Sequence, residues 1–170
     1  NSQQASSYAN VALNHGGLFM PNAGWIAPQL AVQQIISAAE STNRLRIETN
    51  TQVNSIIQNT KSEQSSWSLV TNRGVLDADV LILCGGAEAI DLDWVNQLPF
   101  SSVQGQVSSM NTNEQIQDLS TVICHKGYLT PRTNASQNGN IHCIGATFNK
   151  DSKSTNATSE DDDFNLNMLE

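Results

Sequence analysis

The apolar positions of this chain form three kinds of pattern. Behind Pro28, the residues Leu30, Ile35, Ile36 and Ala39, joined by Val32 and Ala38, recur at helical spacing, which predicts a helix over residues 28–42 with proline in its first turn. Alternation of period two predicts strands at residues 45–49, 53–57, 67–71, 75–79, 103–110, 127–132 and 141–148, with further strand material at 122–125. The third pattern is a continuous run, Val80, Leu81, Ile82 and Leu83, followed directly by Cys84, Gly85, Gly86 and Ala87. Four apolar residues in a row suit a strand buried on both faces. The double glycine lets the backbone turn sharply and lets another group approach. In open α/β sheets ligands sit beyond the carboxyl ends of strands, so this turn is a candidate ligand contact. The same pattern also suits an ordinary core strand closed by a turn.

The polar stretches punctuate these elements. Asn72, Arg73 and Gly74 read as a hairpin turn, which makes residues 53–79 a small antiparallel meander ahead of the buried strand. Residues 91–97 around Trp94 form a short helix or loop, and residues 112–119 hold one helical turn. Residues 134–140 are a turn and 149–158 a polar loop. Ser159, followed by four acidic residues, marks a helix N-terminus. Residues 1–14 are loose or the end of a helix. The expected fold is α/β (α+β), with one long helix, a mixed sheet and a meander. The chain opens without Met and stops soon after its last helix begins, so it is expected to be an internal piece of a larger protein.

Composition narrows the partners. Of 170 residues, 38% are apolar and only 14% charged, with Asn, Gln, Ser and Thr filling the polar positions, which separates the chain from charge-rich disorder. A net charge of −8 does not suit a phosphate backbone as the dominant partner, so basic surface for any nucleic acid must come from elsewhere. No apolar run approaches the roughly 20 residues that span a bilayer, and no basic and apolar leader opens the sequence. Cys84, Cys124 and Cys143 lie in apolar stretches without a Cys-x-x-Cys, which reads as buried, reduced thiols of a cytoplasmic protein. Together with His15, His125 and His142 they match no zinc spacing, so no metal site is expected.

The order of the pieces resembles the flavoprotein family of D-amino-acid oxidase, glycine oxidase and sarcosine oxidase. The likeness runs from about Gly16 to Asp163. It rests on Gly24 to Pro28 before a helix, Val53 to Ile56, Ala78 to Gly86, Leu98 and Pro99 with Gly105 and Gln106, Gly127 to Arg132, and Gly145 to Thr147. Each motif is weak alone, and six in the family's order are fairly specific. His15 to Pro21, Gly127 to Pro131, Ile141 to Ala146 and the acidic stretch from Ser159 narrow the likeness to the flavin-dependent part of bifunctional bacterial enzymes that build methylaminomethyl-thiouridine at the tRNA wobble position.

That resemblance implies an FAD-dependent oxidoreductase that removes the carboxymethyl group of a carboxymethylaminomethyl uridine, with tRNA as substrate. A separate methyltransferase part would use S-adenosylmethionine. It implies residues 1–98 as a partial FAD-binding region, 99–150 as substrate-domain strands and 151–170 as a linker and the start of a helix. Tyr128 and Arg132 become candidates to bind the substrate carboxylate, and Val53, Cys84, Gly85 and Gly86 candidates to contact the cofactor. No catalytic side chain is assigned. For Tyr128 the plain alternative is a half-buried sheet tyrosine, for Arg132 a surface residue beside a turn, and for the other four ordinary strand packing. The departure from the family is that none of the ten glycines forms Gly-x-Gly-x-x-Gly, the turn that holds a dinucleotide pyrophosphate. The chain alone is therefore expected not to retain FAD. Two other functions remain in view: a small-molecule oxidase of glycine, sarcosine or a D-amino acid, and a non-catalytic β-rich binding module.

Overall fold

The computed structural model describes residues 1–60, 66–93, 95–133, 140–150 and 152–169. Residues 2–9 form α1 (Ser2–Ala9), closed at its start by a capping box in which the Asn1 side chain accepts from the Gln4 amide, 3.0 Å. The helix expected behind Pro28 is α2 (Pro28–Glu40). It stops two residues early, because the Ser41 and Thr42 hydroxyls turn back to the carbonyls of Ala38 and Ala39, 2.7 Å each, and Asn43 enters the left-handed region.

The meander is present as β1 (Val53–Asn59), β2 (Ser66–Thr71) and β3 (Gly74–Ala78), all antiparallel. Its hairpin turns through Asn72 and Arg73 onto Gly74 at φ +128°, a conformation that favours glycine. Thr71 fixes the turn by accepting from the Arg73 amide, 3.0 Å, and donating to the Gly74 carbonyl, 2.7 Å.

Two expected strands do not form. Residues 45–48 have no ladder partner, and an ion pair joins Arg46 to Glu48 two residues along. The run at residues 80–83 is likewise unpaired, with Val80 75% and Ile82 79% exposed. A strand is a product of its neighbours, and no described residue lies alongside to pair with this one. The turn after it is present, with Gly86 at φ +58° opening a short 3-10 helix (Gly86–Asp91). Trp94 and residues 134–139 fall outside the described residues.

The second half holds the core. The expected strand at 103–110 is broken in two. β4 (Val103–Gln104) pairs with β9 (Asn149–Lys150), while β5 (Val107–Asn111) joins a four-stranded sheet with β6 (Ile123–Cys124), β7 (Tyr128–Leu129) and β8 (Ile141–Gly145). The break falls at Gly105 and Gln106. A Cβ at residue 105 would stand 3.2 Å from the Thr147 carbonyl, and the Gln106 side chain is drawn off to the loop before the last helix. The order in the sheet is β5-β8-β7-β6, and every ladder among the described residues is antiparallel.

One face of this sheet is closed. Leu129 and Ile144 meet Ala9 of α1 and Leu119, with Val11, Leu13, Met110, Ile116 and Ile123 around them. α1 is tied there by the Ser120 amide to the Ala9 carbonyl, 2.9 Å, and by the Ser120 hydroxyl to the Tyr8 carbonyl, 2.9 Å. The last helix, α3 (Ser159–Asn167), is capped by Thr158 and seats on β5 through polar contacts. Asn165, fully buried, donates to the Gln106 carbonyl, 2.9 Å, and to the Ser108 hydroxyl, 3.0 Å. Asp162 accepts from Ser108 and from Gln106, which hold its carboxyl below the ordinary aspartate range, Ser108 most strongly.

Candidate functional site

The opposite face of the four-stranded sheet is open. Register sets Cys124 beside Tyr128, Tyr128 beside Gly145, and Gly145 beside Val107, so these four form one row across it. Strand alternation sends Leu129 into the core at 6% exposure and leaves Tyr128 half-buried on the open side. The hydroxyl end of the Tyr128 ring sits over Gly145. A Cβ at residue 145 would lie 2.8 Å from the phenol oxygen and 3.0 Å from Cζ, distances that side-chain carbons do not tolerate.

Cys143 stands two residues along β8 on the same face. Its thiol and the Tyr128 phenol are near enough to affect each other's ionisation. Burial pushes the phenol's pKa up, and the thiol beside it adds to the rise. Burial also pushes the Cys143 thiol up, with the phenol's hydrogen bond acting against it.

The floor under this pair is fixed from the core side. Thr130 donates its amide to the Cys143 carbonyl, 3.0 Å, and its hydroxyl accepts from the Cys143 amide, 3.0 Å. His142, fully buried, faces the Thr130 carbonyl through Nδ1, 2.8 Å, and the Thr112 hydroxyl through Nε2, 3.0 Å. A carbonyl only accepts, so Nδ1 carries a proton toward Thr130. A phenol with a thiol beside it on a clamped strand offers a donor to an anionic or carbonyl oxygen.

The six residues singled out from sequence do not come together as one site. Arg132 is exposed, and its guanidinium donates to Asn140 Oδ1 at 3.4 Å, with no hydrogen bond to Tyr128 among the described residues. Val53 opens β1 at a bulge, and the meander ladders only with itself among the described residues. Cys84, Gly85 and Gly86 form their turn elsewhere, and no described hydrogen bond joins them to Val53. The expectation of buried thiols is corrected: Cys143 is only half-buried, and the other two are exposed. Cys84 is exposed because its run is unpartnered, and Cys124 because it lies on the outermost strand of the open face.

For a dinucleotide the fit is partial. Nothing stands within 4 Å of where a Cβ at Gly86 would be, so a ligand can approach that backbone, whereas Gly85 is closed off by Ala89 at 3.2 Å. These residues suit a flank of a cofactor and supply no pyrophosphate cradle. No cluster of three metal-ligating side chains occurs among the described residues.

Sequence reasoning missed Gly145 and Cys143 as parts of the Tyr128 setting. A glycine inside a strand is a signal for close approach, but the approaching group is named only by the cross-strand register.

Comparisons with known proteins agree with this architecture. A family model for FAD-dependent oxidoreductases matches residues 3–169. The chain is 32% identical to the tRNA 5-methylaminomethyl-2-thiouridine biosynthesis bifunctional protein MnmC of Pseudoalteromonas atlantica, over 96% of this chain and 24% of that protein. It is 34% identical to the protein of the same name from Idiomarina loihiensis, over 98% of this chain and 26% of the relative. The chain thus spans about a quarter of the length of these relatives. Among solved structures, glycine oxidase from Geobacillus kaustophilus superposes with a TM-score of 0.63 at 22% identity, covering 84% of this chain and 36% of that one. Glycine oxidase from Bacillus cereus gives 0.64 at 22%, covering 85% and 37%. These two show a shared fold.

Proposed function

Because this chain belongs to the FAD-dependent oxidoreductase family, we propose that it is the substrate-binding part of an oxidase that removes the carboxymethyl group from carboxymethylaminomethyl uridine at the tRNA wobble position. The observation that carries this reading is Tyr128, an outward phenol on a clamped strand, in a chain whose relatives are named for making a methylaminomethyl-thiouridine. The group to be removed is an N-alkylglycine, a small secondary amine bearing a carboxylate. FAD, when bound, supplies the oxidising power at the glycine carbon, and water divides the product into glyoxylate and the amine.

The chain's own residues bind and orient. The Tyr128 phenol donates to the substrate carboxylate without a charge change. Arg132 adds positive charge at the rim of the same sheet, and an arginine outside this chain supplies the principal clamp. Val53, Cys84, Gly85 and Gly86 flank the cofactor. In this reading residues 1–98 are largely the cofactor side, 99–150 the substrate side and 151–170 a linker and helix, with α1 crossing to pack under the substrate sheet. The chain alone does not hold FAD, since pyrophosphate binding needs a glycine-rich turn at a helix N-terminus. The full gene product carries a methyltransferase part that takes S-adenosylmethionine, and it works in the cytoplasm, where tRNA is modified. No helix among the described residues is long and apolar enough to cross a membrane.

The test is incubation of the full-length gene product, loaded with FAD, with tRNA bearing carboxymethylaminomethyl uridine. Release of glyoxylate together with aminomethyl uridine in the digested nucleosides is the expected result. Untouched tRNA with brisk oxidation of glycine or sarcosine would overturn it in favour of a small-molecule oxidase. Inertness of the loaded protein toward all of these would leave a binding module.

A further inference from the structure

Residues 80–93 are tied to the second half of the chain at one polar point. Lys153, in the loop between β9 and α3, donates from Nζ to both carboxyl oxygens of Asp91, at 2.7 and 2.8 Å. Asp91 is the last residue of the 3-10 helix that Gly86 opens. Between described residues, no other hydrogen bond joins 80–93 to 99–170. The helix and the loop also line one open cavity of about 420 Å³, Ala87 from the helix and Ser152 to Ala157 from the loop. With open space beside both elements, the ion pair rather than close packing sets their separation.

The loop end of this contact is held in place. Gln104 on β4 grips the loop on either side of Lys153: its Oε1 accepts from the Ser152 hydroxyl, 2.9 Å, and its Nε2 donates to the Asn156 carbonyl, 3.3 Å. Gln106 exchanges two bonds with the Thr158 backbone, accepting from the amide and donating to the carbonyl, 2.8 Å each. Within the loop, the Ser152 hydroxyl accepts from the Ser154 amide, 3.3 Å, and the Ser154 hydroxyl from the Asn156 amide, 3.2 Å. Lys153 therefore stands on clamped backbone, and the restraint runs from the lysine to the aspartate.

We infer that Lys153 is a positioning residue for the turn at Gly85 and Gly86: its grip on Asp91 holds the 3-10 helix to the clamped loop and so fixes the Gly86 backbone for the cofactor. Gly86 stands at φ +58° with no atom within 4 Å of where a Cβ would be, so its backbone is open to a ligand. The pair itself lies in solvent, Lys153 45% and Asp91 72% exposed, so its effect has the size of a surface ion pair and weakens with salt. This inference rests on the reading of the turn as a flank of FAD, and the experiment separates the two.

The full-length gene product is made as wild type, Lys153→Met, Lys153→Asp, Asp91→Lys, the Lys153→Asp/Asp91→Lys double variant, Gly86→Ala, and Lys150→Met as a control that removes a nearby charge. Hydrogen exchange over residues 85–92 is followed without FAD, and FAD affinity is titrated at low and high salt. Lys153→Met should speed exchange over 85–92 and weaken FAD binding roughly two- to fivefold, the scale of one surface ion pair, with the difference shrinking at high salt. Lys153→Asp, which sets two carboxylates together, should lose more, the reversed pair should recover both readouts, and Lys150→Met should change neither. Gly86→Ala should weaken FAD binding by itself, because a methyl group then stands where the ligand approaches. If Gly86→Ala weakens binding while Lys153→Met leaves exchange and affinity at wild type, or the reversed pair recovers neither, the positioning role is overturned and the flank reading stands. If folded Gly86→Ala binds FAD as wild type does, the flank reading fails and the positioning role fails with it. Should Gly86→Ala not fold, recovery or loss of affinity in the reversed pair decides the positioning role alone.

Discussion

The two halves of this chain use apolar residues in opposite ways. In the sheet of β5 to β8, the inward positions Leu129 and Ile144 are covered by α1 and by Leu119. In α2 and residues 80–83, equally apolar side chains face outward, with Ile35 68%, Val32 53%, Val80 75% and Ile82 79% exposed. The patterning is as strong in the second region as in the first. What differs is whether this stretch of chain supplies the other side of the contact. Amphipathic period and apolar runs state that a face is to be buried, and they say nothing about where its partner comes from.

The contrast has energetic consequences. Ile144→Ala should cost about 2–5 kcal/mol, as other buried large-to-small changes do, whereas Ile35→Ala in this chain should stay within about 0.5 kcal/mol. Denaturant midpoints at unchanged slope would measure both. Equal costs would mean that α2 is packed after all, and the comparison would break.

The glycines sharpen it further. A Cβ at Gly127 would fall 2.4 Å from the Gly145 carbonyl, a backbone atom, and 2.8 Å from the Met168 methyl group. A Cβ at Gly145 meets mainly the Tyr128 ring. Gly127→Ala should therefore destabilise more than Gly145→Ala, which should cost about 1–3 kcal/mol by overpacking and displace the phenol. Gly86→Ala, in the open half, meets no atom and carries only the left-handed strain of about 1–2 kcal/mol. Thermal unfolding of the three variants ranks them, and a Gly86 variant worse than Gly127 would contradict the packing assigned to each.

The smallest effect is electrostatic. Asp162 has a depressed folded pKa, so its contribution to stability is present above the ordinary aspartate pKa and lost as pH falls through the folded value. Asp162→Asn should be less stable than wild type at neutral pH, and the gap should close in acid. A gap that persists or widens in strong acid would show that Ser108 and Gln106 do not hold the carboxylate.

Much of the closed half was legible in the sequence, because alternation is local. Residues 141–145 and 107–111 announced their strands, and the assignment of Leu129 inward and Tyr128 outward follows from period two alone. The rest depends on register and long-range contact. Nothing local shows that Ser108 will meet Asp162, or that Ser120 will receive the end of α1. The seat of Tyr128 on Gly145 is fixed by the pairing of β7 with β8, whose register the intervening sequence does not state. The run at 80–83 misled in the other direction, since its hydrophobicity predicts burial that the described residues do not provide.

The central claim is that the open face at Tyr128 receives the substrate carboxylate. Its most direct test is the steady-state kinetics of Tyr128→Phe on carboxymethylaminomethyl tRNA, in the full-length gene product with FAD content measured alongside. A hydrogen bond to a charged group contributes about 1.5–3 kcal/mol, so kcat/KM should fall by about one to two orders of magnitude at unchanged FAD content. Wild-type kinetics from that variant would contradict the claim.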